Sequence, residues 1–453
     1  MERVMRGIRL LNGVKQNMEN LYLGVSKKII TPEVGGNLYG YRPDVISEKI
    51  EDDLTATCFY FCQGGRQALM ISVTVGSLAT ELYDDLAAKI EQTFSIPKQN
   101  CVISATHTHS APNTCGEVGW GDLDEPYING ILAPQIMSGV AEAIAARQPV
   151  TVGCAVGNSF VGVSRRELTG ENITVLGQNP HACFDPRMTV ISFKNEAGQA
   201  VANMIHYACH GTAAGCNKEV SRDWSGVMTD ELERVSGAIT AFFNGPEGDI
   251  GPRLSNGGTA GDGIRRIYEI GWVGARDAVQ IYKTIKAYHP VELVCGGGDI
   301  AVSMKERIPR EEAQALFDQF GADAINSELA QRHYAQLVLD AYESGKPEIA
   351  STPLHQSVIA LGSLVFVTFP YELFSQIGLR IDDCFAGQRV LSLSNANGSM
   401  GYFITEEAKC RGGYEVDMFY YSGHDQPYCD NADFELMQKT VQHIQDVLKE
   451  GNR

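Results

Sequence analysis

Two histidines placed two residues apart, His107 and His109, follow a short apolar run in this sequence. The run Cys101–Ala105 predicts a β-strand, and the segment after it is polar. Because alternate residues of an extended chain point to the same side, both imidazoles are expected to project together above the strand end. One imidazole could bind a metal ion while the other moves protons or contacts a substrate. Taken alone, the pair is also compatible with two hydrogen-bonded loop histidines.

Four later segments also place side chains that bind metals or move protons at the ends of apolar runs or beside glycines. They contain His210, Glu372, Tyr402 with Tyr414 downstream, and the carboxylates Glu247 and Asp249 of the loop from Asn244 to Arg253. A loop rich in Gly and Pro brings backbone N–H groups close to a ligand. Glu372 is predicted to open a helix, where the helix dipole favours a carboxylate. Each segment on its own also has an ordinary structural explanation.

The elements that must position these side chains alternate between strands and helices. Two hairpins are predicted, at Leu54–Cys62 with Gln67–Val75 and at Leu354–Leu361 with Leu364–Phe369. Further strands are predicted at 150–156, 188–193, 200–206, 239–243 and 389–394, and helices at 126–146, 263–288, 310–320 and 322–344. Interleaved strands and helices predict a layered α/β fold, and the hairpins favour mixed β-sheets flanked by helices over a purely parallel sheet.

Composition limits the partners and the location of the protein. The formal net charge of -18 disfavours binding to nucleic acid or to anionic membrane surfaces. No run reaches the roughly 18 apolar residues of a membrane span, so stable membrane insertion is not expected. The N-terminus has no apolar signal region, and the 12 cysteines are scattered without a CxxC pair, as in a reduced cytoplasmic protein.

The 453 residues contain no obvious linker. We therefore predict a short lead-in over residues 1–20 and one catalytic domain over residues 21–453, acting on a small-molecule substrate. The oligomeric state is left open, including a homo-oligomer.

Taken in order, these segments resemble the catalytic domain of the neutral (alkaline, non-lysosomal) ceramidase family. The likeness runs from about Tyr22 to Tyr414 and is carried by Leu23-Gly24-Val25-Ser26, Ile29-Ile30-Thr31-Pro32, Gly40-Tyr41, Ala105-Thr106-His107-Thr108-His109-Ser110 and the spacing of Tyr402 and Tyr414. Five segments in the order of the family are far more specific than any single motif.

The resemblance implies a mononuclear Zn²⁺ site with four ligands: His107, His210, Glu372 and Tyr402. It also implies that His109, Arg165 and Tyr414 act in catalysis and that Asp249, Gly251 and Arg166 lie at the substrate; Arg166 could replace Arg165 as the active-site arginine. Two imidazoles, a carboxylate and a phenolic oxygen suit zinc. A zinc-activated water would attack an amide or ester bond.

Three departures from the family bear on the substrate. Gly251 stands where ceramidases carry a catalytic serine. The family's C-terminal β-sandwich domain and an export signal are also not expected in this chain. We therefore expect a zinc-dependent, amidohydrolase-type hydrolase acting on a small or polar substrate. The alternatives are a true neutral ceramidase (an N-acylsphingosine amidohydrolase) and a non-catalytic zinc-binding relative.

Overall fold

A computed structural model describes residues 19–171, 173–253, 263–321, 324–419 and 423–451. The predicted lead-in lies outside these residues, apart from Glu19 and Asn20. The strands are β1 (Tyr22–Ile29), β2 (Lys49–Ile50), β3 (Thr55–Gln63), β4 (Arg66–Val73), β5 (Cys101–Ala105), β6 (Gln148–Asn158), β7 (Gly162–Leu168), β8 (Thr174–Asn179), β9 (Arg187–Asn195), β10 (Ala200–Tyr207), β11 (Glu219–Val220), β12 (Ile239–Asn244), β13 (Ile250–Pro252), β14 (Leu293–Ser303), β15 (Ser351–Leu361), β16 (Leu364–Thr368), β17 (Glu372–Leu373), β18 (Arg389–Leu393) and β19 (Tyr402–Phe403). The α-helices are α1 (Thr80–Phe94), α2 (Glu125–Tyr127), α3 (Ala133–Ala145), α4 (Asp223–Ser236), α5 (Gly263–Lys283), α6 (Arg310–Gln319), α7 (Asn326–Ser344), α8 (Ser375–Asp383), α9 (Glu406–Arg411), α10 (Tyr414–Met418) and α11 (Ala432–Gly451).

Two mixed sheets form the centre of the molecule. The larger has eight strands in the order β12-β10-β9-β6-β1-β3-β4-β5, and the second has four in the order β14-β15-β16-β18. Most neighbours are antiparallel, but β4 with β5, β10 with β12, and β16 with β18 are parallel. Both predicted hairpins are present. The predicted α/β class with mixed sheets flanked by helices is confirmed.

The two sheets pack face to face, and helices cover their outer faces. Along β3, Phe59 and Phe61 join a core shared with Phe366 and Leu391 of the second sheet. The alternate residues of β3, such as Cys58, face α1 and α3 instead. Because both faces of these strands are buried, they read in the sequence as continuous apolar runs. Burying each large apolar side chain stabilises the fold by about 1.5–3 kcal/mol.

Two elements in particular differ from the sequence prediction. The predicted helix over 126–146 is interrupted by a π-turn at Ile128–Leu132. The long strand β14 was not predicted, because its run Gly296-Gly297-Gly298 has low strand propensity. Its glycines allow close packing, since a Cβ on Gly297 would lie 2.7 Å from the Gln356 carbonyl oxygen. Among the described residues, no helix has the length and apolar character needed to cross a bilayer.

Candidate active site

The two histidines of the first motif meet, but not for the reason the sequence suggested. Strand β5 ends at Ala105, and His107 has a φ of +63°, so the extended alternation does not continue through it. The segment that carries His107 and His109 instead pairs with the segment that carries His210: the Gly211 N–H donates to the His107 carbonyl, and the His109 N–H donates to the Gly211 carbonyl, both at 3.1 Å. A Cβ on Gly211 would lie 2.6 Å from the His107 oxygen, so glycine is required there.

Backbone carbonyls orient three imidazoles toward one point. The Nδ1 atom of His107 lies 2.7 Å from the Gly76 oxygen, and that of His109 lies 3.1 Å from the Gly40 oxygen. His210 Nδ1 lies 2.9 Å and 3.0 Å from the oxygens of Glu247 and Ile250. Since a carbonyl only accepts hydrogen bonds, each Nδ1 carries a proton, and each Nε2 faces the centre of the cluster.

The carboxylate of Glu372 faces the Nε2 atoms of His107 and His210. Its Oε2 lies 2.9 Å from His210 Nε2 and 3.5 Å from His107 Nε2. Glu372 does not open a helix, as the sequence predicted; it lies in the short strand β17, and the helix α8 begins at Ser375. Strand β17 pairs with β19 in parallel, which sets Glu372 beside Tyr402. The Tyr402 hydroxyl reaches the same carboxylate.

This donor set fits a divalent cation. The Nε2 atoms of His107 and His109 lie 3.3 Å apart. The ligand atoms of His107, His210, Glu247 and Glu372 all lie within 4.8 Å of one another. Clustered lone pairs and carboxylates in a dry interior repel one another unless a cation or proton lies between them. Imidazole and carboxylate together suit zinc, iron and manganese.

The pKa values of the buried groups follow from this crowding. Burial lowers the pKa of His210 to about 3, with a further contribution from Arg165, and burial also lowers the pKa of His109 well below its usual value. Burial alone would raise the pKa of Glu372, but its interactions with His107 outweigh burial and lower it. Although burial lowers the pKa of His107, the neighbouring Glu372 raises it to about 9, so only His109 and His210 are neutral at neutral pH in the absence of a cation. The neutral imidazole is the form that accepts a proton or binds a metal.

Arg165 and Arg166 share one buried carboxylate. On β7, Arg165 donates from Nε to Glu415 at 2.8 Å and from a terminal nitrogen to the Tyr402 hydroxyl at 2.8 Å. Arg166 donates to the other oxygen of Glu415 at 2.5 Å. Tyr414 packs against Tyr402 with ring centroids 6.1 Å apart, and the Arg165 guanidinium lies over both rings. The structure therefore directs Arg165 to the histidine cluster.

Arg166 lies on a different side. It lines a cavity of about 490 Å³ together with Asp249, Phe374 and Arg411. None of the three clustered histidines lines this cavity.

The glycine-rich loop contacts residues that position the cluster. Both oxygens of Asp249 accept hydrogen bonds from Ser375, from its backbone N–H at 2.7 Å and from its hydroxyl at 3.0 Å. Asp249 thus fixes the start of α8. Gly251 is buried in β13, opposite Val163 of β7. It directly follows Ile250, whose carbonyl orients His210.

Sequence reasoning assigned no role to two acidic residues near the cluster. Glu247 contributes to the group of ligand atoms described above. Glu117 accepts hydrogen bonds from the hydroxyls of Tyr39 at 3.2 Å and Ser399 at 2.8 Å. The Tyr39 ring packs edge-on against His109 at 5.4 Å. In the sequence, the only indication of a role for Glu247 is its place in a Gly- and Pro-rich loop. No sequence pattern indicates a role for Glu117.

Enzymes of the ceramidase class share this architecture along almost the whole chain. A neutral ceramidase from Pseudomonas aeruginosa matches with a TM-score of 0.71 at 19% sequence identity, covering 94% of this chain and 75% of that one. A ceramidase complexed with C2 matches with a TM-score of 0.74 at 18% identity, covering 95% and 76%. No family model and no curated protein matches the sequence. The chain thus has the neutral ceramidase fold, as its motifs implied.

Proposed function

We propose that this protein is a zinc-dependent hydrolase of the neutral ceramidase-like superfamily that cleaves an amide or ester bond of a small or polar substrate. The observation that carries the proposal is the buried meeting of His107 and His210 with the Glu372 carboxylate, with His109 next to both histidines and Tyr402 and Arg165 beside them. The two ceramidase structures with this fold support a hydrolase.

In this proposal His107, His210, Glu372 and Tyr402 hold the zinc ion. The carbonyls behind His107 and His210 lock the imidazoles in the ligating tautomer, and such outer contacts commonly raise metal affinity 10–100-fold. When bound, zinc supplies Lewis acidity and a nucleophilic water at neutral pH.

His109 serves as the proton carrier. Its Nδ1–H is held by the Gly40 carbonyl, so Nε2 is free to accept a proton from the attacking water and to pass it to the leaving group. The rings of Tyr39 and Tyr41 pack edge-on against His109 at 5.4 Å and 5.1 Å and fix its plane. The lowered pKa of His109 keeps this imidazole neutral before the reaction.

Arg165 and Tyr414 stabilise the negative charge that develops on the substrate carbonyl oxygen. Glu415 fixes the Arg165 guanidinium, which is therefore preorganised rather than mobile. Burial raises the pKa of Tyr414, so its hydroxyl stays protonated and can donate a hydrogen bond.

The metal assignment is tested by elemental analysis of protein that has been stripped with a chelator and reloaded with zinc. We expect about one zinc ion per chain, and its loss in His107→Ala and in His210→Ala. Full zinc occupancy in both variants would show the assignment to be wrong.

A true neutral ceramidase is the second candidate, because two of the structures that share the fold are ceramidases. Gly251 weighs against it, since glycine has no hydroxyl to offer, and loss of one transition-state hydrogen bond costs about 10²–10³ in rate. Zinc-loaded protein should be assayed against ceramides of several chain lengths beside soluble N-acyl amino acids, N-acyl sugars and esters. Ceramide turnover above that of every soluble compound would favour the second candidate. Bound zinc without turnover of any compound would favour a non-catalytic relative.

We also propose a cytoplasmic location. The twelve cysteines are all free thiols in the structure, which supports a reducing compartment.

A further inference from the structure

Glu247 is a fully buried carboxylate held in a fixed position beside the histidine cluster. Its Oε1 accepts a hydrogen bond from the side-chain amide of Asn395 at 2.6 Å. Asn395 is itself fixed, since the Ser77 hydroxyl donates to its side-chain oxygen at 3.0 Å and the Ala105 N–H donates to its carbonyl at 3.0 Å. Asn395 adopts a φ of +46°, a conformation that asparagine tolerates better than most residues. The surrounding chain therefore determines where Glu247 points.

The second oxygen of Glu247, Oε2, is buried without a hydrogen bond of good geometry in the part of the chain that the structure describes. The Ser394 hydroxyl interacts with this carboxylate, and no lysine or arginine forms an ion pair with Glu247 among those residues. An isolated buried carboxylate is costly unless it is paired or coordinates a metal ion. The Glu372 Oε2 and His210 Nε2 atoms are also buried without a hydrogen-bond partner of good geometry. Three buried polar atoms at one site, none with a hydrogen bond of good geometry, indicate that an ion belongs there.

The distances allow one ion to satisfy all of them. The ligand atoms of Glu247, His107, His210 and Glu372 lie within 4.8 Å of one another. Zinc binds histidine nitrogen and carboxylate oxygen at about 2.0–2.2 Å, so ligands on opposite sides of one ion are about 4–4.4 Å apart. Small side-chain movements bring all four atoms onto one ion.

We propose that Glu247 is a further metal ligand, which makes the site a centre of two histidines, two carboxylates and the Tyr402 hydroxyl. This inference rests on the metal site of the proposed function and extends it. A second carboxylate makes the donor set harder in the sense of hard and soft ligands, because carboxylates suit manganese and iron while imidazole also suits zinc. The extra ligand also leaves fewer open positions than a four-ligand zinc site would have. The centre is therefore expected to accept Mn²⁺ more readily than the four predicted ligands alone would.

The test compares metal binding by the wild type, Glu247→Gln and Glu117→Gln. Metal-free protein is titrated with zinc sulfate and with manganese chloride in competition with a chromophoric chelator. Glu117→Gln is the matched control, because it removes the same charge near the cluster from a residue outside the ligand group. We expect Glu247→Gln to weaken zinc binding by about 10-fold or more, equivalent to about 1.4 kcal/mol, and manganese binding by a larger factor. Glu117→Gln should stay within about threefold of the wild type.

A Co²⁺-loaded sample provides a readout that does not depend on activity. Removing a ligand from the ion should intensify and shift the visible absorption bands in Glu247→Gln but not in Glu117→Gln. Unchanged affinities and an unchanged cobalt spectrum in Glu247→Gln would overturn the inference while leaving the metal site standing. A wild type that binds neither zinc nor manganese would instead overturn the proposed function.

Circular dichroism shows whether Glu247→Gln folds. If it does not, a crystal structure of the zinc-loaded wild type decides the question. Glu247 Oε2 at about 2.0–2.2 Å from the ion is the expected result. A water molecule between the ion and this oxygen would refute direct ligation.

Discussion

Replacing Glu415 with glutamine should lower the free energy of unfolding more than the same Glu→Gln substitution at a solvent-exposed position. Glu415 is the only carboxylate that the described residues offer to both Arg165 and Arg166, and its side chain is 1% exposed against 10% for each arginine. Glutamine keeps one accepting oxygen but turns an N–H₂ group toward a guanidinium that can only donate. Both guanidinium groups then lose the negative charge that they share.

The expected loss of stability follows from the burial of these three side chains. Removing one partner of a buried ion pair typically costs about 3–5 kcal/mol, whereas an exposed pair contributes about 0–1 kcal/mol. The nearby pair of Glu407 and Arg411 supplies the exposed comparison, with side chains 60% and 56% exposed. Glu407→Gln makes the same chemical change and is expected to stay within about 1 kcal/mol of the wild type.

Urea unfolding followed by tryptophan fluorescence measures the difference, with all variants both metal-free and zinc-loaded. Comparing the two conditions separates the stability lost with the buried ion pairs from the stability lost through weaker metal binding, since a bound metal adds stability by mass action. We also expect a lower kcat in Glu415→Gln, because Arg165 loses the contact that fixes it toward Tyr402. Equal unfolding midpoints for Glu415→Gln and Glu407→Gln in the metal-free state would refute the reasoning.

Three further changes probe the cluster itself. Gly248→Ala should lower zinc affinity as measured by chelator competition, because the new Cβ would lie 2.4 Å from the backbone oxygen of Glu372 and must displace it; unchanged affinity would show that this contact relaxes freely. His109→Ala should keep about one zinc ion per chain by elemental analysis while kcat falls about 10²–10⁴-fold, whereas loss of zinc would make His109 a ligand. Tyr402→Phe should weaken zinc binding and leave the guanidinium of Arg165 without one acceptor; a zinc dissociation constant equal to that of the wild type would remove Tyr402 from the ligand set.

Much of the sheet architecture could be predicted because its strands are buried on both faces. The hairpin of β3 and β4 reads as two apolar runs around a Gly-Gly turn, and the structure pairs them in the expected antiparallel register. Strand β14 could not be predicted in this way, since its glycines matter for close contact with neighbouring chain rather than for strand propensity. The helix α11 was missed as well, because its charged residues mask a buried stripe that includes Leu436 and Ile444.

The candidate site shows a similar division. The histidine pair was identifiable as a pair, but the left-handed backbone of His107 depends on contact with Gly211, far away in sequence. The strand position of Glu372 depends on a two-residue pairing with Tyr402, too short to leave a periodic pattern. The nearness of Glu247 depends on where its loop meets Asn395. Such meetings of distant segments are set by tertiary packing, which local residue patterns do not encode.

The face-to-face packing of the two sheets has a consequence for how the protein folds. His107 follows a strand of the eight-stranded sheet, whereas Glu372 comes just after β16 of the four-stranded sheet. The cluster therefore cannot form until both sheets have folded and docked. Contacts of such large sequence separation form slowly, because loop-closure entropy opposes them. An ion that binds only the docked form would slow its unfolding while doing little to speed the early steps. Zinc added at the start of refolding should then leave the first kinetic phases unchanged and lengthen the lifetime of the native state.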